Sequence, residues 1–158
     1  MHTDPSSTQP ARHVIFFGNA LHGDDGFGPA VFRRLSGCEL PADVRLFEAG
    51  TRGLDALMLF DGCAEAIVVD ALEPGGHPGR VMRADPRALA LESSLPGHGA
   101  GVGYLLAALG ALGLPLPMVI TAEAERPRPF SPGLSDAMAR AVDEATALLC
   151  QTLGIDHA

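Results

Sequence analysis

A chain of 158 residues with 47% hydrophobic content is long enough to bury one substantial core and short enough to form one domain. Its eleven basic residues are all arginines, and nineteen acids leave a net charge of −8, which excludes a basic face for nucleic-acid phosphates. No uncharged apolar run reaches about eighteen residues, and Met1–Pro10 has neither the basic end nor the apolar segment of a signal peptide, so the expectation is a cytoplasmic protein without membrane insertion.

In chain order, residues 1–12 read as a polar, disordered tail and residues 13–155 as a single α/β domain. Val14–Phe17 is an apolar run that predicts a buried strand, and Pro29–Leu35 a helix. Between them Gly18-Asn19-Ala20-Leu21-His22-Gly23-Asp24-Asp25-Gly26-Phe27-Gly28 places four glycines around two adjacent carboxylates. One aspartate is expected to cap the helix start, leaving the other to face a cleft beyond the strand's carboxyl end. The spacing is not that of a dinucleotide loop, and paired acids suit a cation or a polar substrate rather than a pyrophosphate.

Val44–Glu48 alternates apolar and charged residues, as a half-exposed strand near a sheet edge does. After the Gly-rich Ala49–Gly53, Leu54–Phe60 predicts a short helix that Asp61-Gly62 stops. Ala66–Ala71 is the most apolar strand candidate and is expected at the centre of a parallel sheet. Asp70 closes it, and a carboxylate there is costly to bury unless it is paired, hydrogen-bonded or metal-bound. The alternative is that Asp70 caps the turn Glu73–Gly76. Gly79–Ala84 reads as an edge strand after a hairpin-like turn, and Leu95–Gly101 as a second flexible loop, bearing His98, ahead of a buried helix from Val102 to Leu112. His22 is a rival to His98, and His77 a weaker one. Pro117–Ala122 makes a fifth strand, followed by a proline-rich loop. A last helix is expected with Ser131 as its N-cap and Pro132 at its first position, running to Leu153.

Three isolated cysteines, Cys38, Cys63 and Cys150, imply free thiols rather than a disulfide framework or a zinc site. The elements together predict a three-layer α/β/α domain of the phosphorylase/hydrolase-like kind with a mostly parallel five-stranded sheet. Asp25, Asp70 and His98 should then meet at one end of that sheet. Two carboxylates and one imidazole can hold a divalent ion such as zinc or nickel, or can serve metal-free acid/base chemistry with one carboxyl raised by the other; the residue types leave both open.

Gly18-Asn19-x-Leu21-x-x-Asp24-Asp25-Gly26-x-Gly28, Gly50-Thr51-x-Gly53-x-x-x-Leu57, the strand ending Val68-Val69-Asp70-Ala71, and a His before the buried helix resemble the hydrogenase maturation endopeptidases. The resemblance implies a protease that removes the C-terminal extension of a nickel–iron hydrogenase large-subunit precursor after nickel insertion. It also implies that the metal contacts fall on Asp25, Asp70 and His98, with nickel carried by the substrate and no resident organic cofactor; the chain is expected to be a monomer. After the fifth strand Thr121-Ala122-Glu123-Ala124-Glu125 stands where the family shows a glycine. Competing readings are a nickel-dependent chaperone that docks the precursor without cutting it, a peptidase of the same fold with another substrate, and a hydrolase using Cys63 or a serine, for which no Gly-x-Ser-x-Gly elbow is present.

Overall fold

The computed structural model describes residues 11–93, 101–126 and 128–156. Five strands form one sheet: β1 (Ala11–Phe17), β2 (Val44–Gly50), β3 (Cys63–Leu72), β4 (Val81–Ala84) and β5 (Met118–Glu123). Their order is β2-β1-β3-β5-β4, with β2, β1, β3 and β5 mutually parallel and β4 antiparallel to β5. The most apolar run therefore takes the centre and the half-polar β2 an edge, as burial on two faces and on one face respectively demands. Strand β1 begins at Ala11, two residues ahead of the expected domain start, and Arg12 is anchored there by Asp43 at 2.6 Å.

Alternate residues of β1 point to opposite faces and nucleate two cores. Val14 and Phe16 face one layer, where α1 (Phe27–Ser36) contributes Val31 and Leu35, and α4 (Asp136–Leu153) contributes Met138, Val142 and Leu149. Ile15 and Phe17 face the other, packed against Leu105, Leu106 and Leu109 of α3 (Val102–Ala111) and Ala56 of the 3₁₀ segment Leu54–Phe60. The result is the expected α/β/α sandwich.

Three expectations need correction. The turn after β3 is not a hairpin turn: β5 lies between β3 and β4, so the chain steps past one strand position before β4 pairs with β5. A short helix α2 (Pro86–Glu92) intervenes before α3, capped by Asp85, whose side chain accepts from Arg87 N at 3.0 Å. Helix α4 starts at Asp136 rather than Pro132, and its N-cap is Ser135, which accepts from Met138 N at 3.2 Å.

Phe16 is fully buried where β1 meets α1, in edge contact with Phe32 at a ring separation of 5.4 Å. Phe16→Ala should cost about 3–5 kcal/mol of unfolding free energy in a denaturant titration. A loss below about 1 kcal/mol would contradict this packing.

Candidate active site

The chain runs from β1 outward to β2 and then returns to the other side of β1 for β3, so the direction of winding switches between β1 and β3. The crevice beyond the carboxyl ends of such a pair is where α/β sheets bind ligands. The loop after β1 carries Asp24 and Asp25, and the end of β3 carries Asp70. The sheet order therefore brings the loop that bears Asp24 and Asp25 and the end of β3 that bears Asp70 to one switch point.

Gly18 turns the chain at the end of β1 with φ +132°, and a Cβ there would lie 2.1 Å from the Asp25 carbonyl oxygen. That close approach folds a short 3₁₀ turn, Gly23–Gly26, back onto the strand end. The Asp25 carboxylate accepts from Asn19 N at 2.8 Å, which closes the loop on itself.

Neither aspartate caps α1, whose N-cap Gly26 has no side-chain bond. Asp24 does something the local pattern did not suggest. Only 4% exposed, its carboxylate accepts from Ser135 N at 2.7 Å, Ser135 Oγ at 2.9 Å and Glu125 N at 2.9 Å. It thus joins the first loop to the loop after β5 and to the start of α4. The division of labour between the two aspartates holds, but the structural one clamps distant chain instead of capping its own helix.

Asp70 accepts from Ala71 N at 2.9 Å. By surface area the residue is partly buried, yet enough protein surrounds its carboxyl that lost hydration pushes its pKa from 3.8 up to about 8; the Asp25 charge adds to the rise, the Ala71 N–H opposes it, and Glu73 contributes further. It does not cap the following turn. Gly75 N and His77 N bind Glu123 Oε1 instead, at 2.6 and 2.7 Å, and Arg80 approaches the other oxygen at 3.4 Å. The His77 and Gly75 N–H groups with Arg80 hold Glu123 below the usual carboxylate range against its partial desolvation. Glu123 is therefore a brace for the β3–β4 connection, and its partners 46 and 48 residues away left no local signal.

A cleft of about 330 Å³ opens here, lined by Asp24, Asp25 and Glu73 together with His22, Arg126 and Arg128. His22 Nδ1 accepts from Phe130 N at 3.3 Å, and the two rings sit 5.1 Å apart, so this histidine is engaged with the loop after β5. His77 is exposed on its turn. His98 lies outside the described residues, and among those described no three His, Cys, Asp or Glu side chains gather as a metal site.

A larger hollow of about 630 Å³ sits at the opposite, amino ends of the strands, near Arg12, Cys63 and Leu153. Size does not make it the reactive site. The Cys63 thiol donates to Phe60 O at 3.1 Å and burial pushes its pKa up, the opposite of the lowering that activates a nucleophilic cysteine.

Residues 29–152 match the model of the hydrogenase maturation protease family. The chain belongs to the hydrogenase maturation protease family. A Methanocaldococcus jannaschii protein named as a hydrogenase maturation protease is 31% identical over 141 residues, covering 86% of this chain and 92% of its own. Among solved structures, the hydrogenase 2 maturation peptidase from a Thaumarchaeota archaeon is 29% identical, with TM-score 0.68, over 92% of this chain and 99% of its own. The hydrogenase maturating endopeptidase HybD of E. coli shares the fold, with TM-score 0.76 at 22% identity over 92% of this chain and 95% of its own. As a hydrogenase maturation protease the chain is a hydrolase of peptide bonds, and no helix among its described residues is long and apolar enough to cross a membrane.

Two measurements test this arrangement. In metal-free protein, unfolded Asp70 ionises near 3.8 while the folded group keeps its proton to about 8, so the folded state binds more protons between those values. Its contribution to stability is complete below about pH 4 and is lost as pH rises to about 8. Thermal melts of Asp70→Asn should therefore gain on the wild type progressively across that window; a difference that stays flat with pH would contradict the shift. Asp24→Ala, which strands the Glu125 and Ser135 N–H groups, should cost about 1–3 kcal/mol. Asp25→Ala should cost less, and the reverse order would contradict the clamp.

Proposed function

We propose that this protease removes the C-terminal extension of a nickel–iron hydrogenase large-subunit precursor once nickel has been inserted, and that Asp25, Asp70 and His98 are the residues that meet the metal. The observation that carries the reading is the coupling of Asp25 and Asp70 at the switch point. Burial raises the Asp70 carboxyl and the Asp25 charge raises it further, and a cation held there offsets both while displacing the proton. Oxygen donors with an imidazole suit nickel among the borderline divalent ions.

In this reading nickel is cargo of the substrate and the protein carries no organic cofactor. The metal serves as the check that the precursor is ready, and the acids hold it so that the scissile peptide lies in the cleft. Water then adds to the peptide carbonyl, and the amine of the extension leaves with a proton. Once the metal has displaced the Asp70 proton, a carboxylate beside the cleft can take the proton of the attacking water and pass it to the leaving amine. The chain works as a single cytoplasmic domain whose partner is the precursor. A docking module that binds the nickel-loaded precursor without cutting it makes the same contacts and differs only in outcome.

Incubation of the precursor with the protein, with and without nickel, followed by intact-mass measurement, separates these readings. The expected result is loss of the extension only in the nickel-loaded sample. Asp25→Asn, Asp70→Asn and His98→Ala should each slow cleavage at least about 100-fold. A precursor that stays full length yet co-elutes with the protein supports docking alone. Near-normal cleavage by all three variants would overturn the assignment of the site.

A further inference from the structure

The wall of the cleft contributed by the loop after β5 carries Arg126 and Arg128, both exposed. Arg12, Arg34 and Arg80 are each paired with an acid, at Asp43, Asp143 and Glu123. Among the described residues neither Arg126 nor Arg128 has an ion-pair partner, although Asp24, Asp25 and Glu73 line the same cleft. Two uncommitted guanidinium groups thus stand at the mouth of a site whose other charged groups are acids.

The loop that presents them is fixed by contacts reaching across the fold. Glu125 N is bound by Asp24, Gly23 N donates to Ser131 O at 2.9 Å, and Phe130 N donates to His22 Nδ1. Gly23 takes φ +56°, and a Cβ on it would lie 2.9 Å from Arg128 Cβ, so the first loop sits directly against the Arg128 side chain. Phe130 itself has φ 58°, a conformation that costs a non-glycine residue on the order of 1–3 kcal/mol and persists only where surrounding contacts over-determine it. Its ring is 84% exposed, so packing in a core is not what holds it there. The wall is a built surface.

A guanidinium presents a planar fork of donors that matches a carboxylate, and a polypeptide substrate brings carboxylates as Asp or Glu side chains and at its C-terminus. Such a group approaching a protein of net charge −8 and an acidic cleft would be turned away unless cations receive it. We propose that Arg126 and Arg128 are specificity-determining residues that bind a carboxylate of the precursor's C-terminal extension, setting the position of the peptide relative to the acidic centre. This inference rests on the proposed cleavage of that precursor. The two ends of the cleft then select opposite charges, and the peptide is held in one direction.

The test is steady-state cleavage of the nickel-loaded precursor by the wild type, Arg126→Ala/Arg128→Ala, the corresponding double Lys variant, and Arg140→Ala as an exposed arginine on α4 outside the cleft. The double Ala variant should raise KM on the order of tenfold with kcat little changed, since the contact is made equally before and during reaction. The double Lys variant should recover part of the loss, and Arg140→Ala none of the defect. Two modified precursors distinguish the source: one with the acids of the extension changed to Asn and Gln, one with a C-terminal carboxamide. The substrate on which wild type and double Ala variant become equal identifies the carboxylate. A difference that persists on both substrates, an unchanged KM, or an equal defect in Arg140→Ala overturns this inference while wild-type cleavage stands. A wild type that leaves the precursor intact overturns the peptidase reading and this one with it.

Discussion

One buried carboxyl group holds together the loops beyond the carboxyl ends of the strands. Asp24 receives three hydrogen bonds from residues 101 and 111 positions along the chain, and these bonds tie the first loop, the loop after β5 and the start of α4 to a single point. A carboxyl so enclosed is tolerated because two backbone N–H groups and a hydroxyl reach it. Its neighbour Asp25 is left with one backbone bond and the open cleft. Adjacent residues in a tight turn point apart, and here one is enclosed while the other faces the cleft.

The second constraint is the sheet order. Because β1 and β3 are neighbours and their connections leave in opposite directions, the ends of both strands open onto one crevice. Asp25 raises Asp70 through space, and desolvation raises it more. A protease needs a means of keeping its cleft inert until the right chain enters. In the proposed reaction the two neighbouring acids would provide it, since the cation that offsets their unfavourable proximity comes with the substrate.

Much of this was legible in the residues. Val14–Phe17 and Ile67–Val69 announce buried strands by unbroken apolar content, the glycines of the first loop announce a tight turn, and two acids there with one closing β3 announce a site. What was hidden was hidden for physical reasons. The start of α4 was misread because Ser131-Pro132 is a good local signal, whereas Ser135 is fixed by a carboxylate that lies more than a hundred residues away in the chain. The partner of β4 could not be read because an edge strand's apolar pattern is the same whichever neighbour it pairs with. Helix α2 did have a signal, Asp85 followed by Pro86, but its seven residues bury none of their number fully and so show little periodicity. Glu123 and Asp24 share a lesson: buried acids held mainly by backbone N–H groups from distant chain leave little in the local sequence to betray them.

Carbon-13 NMR titration of the side-chain carboxyls of Asp25 and Asp70 in metal-free protein reads the coupling between them directly. Asp70 should titrate near 8, and Asp25→Asn should move it downward by removing the neighbouring charge. A titration of Asp70 in the ordinary carboxyl range, unmoved by that substitution, would contradict the account.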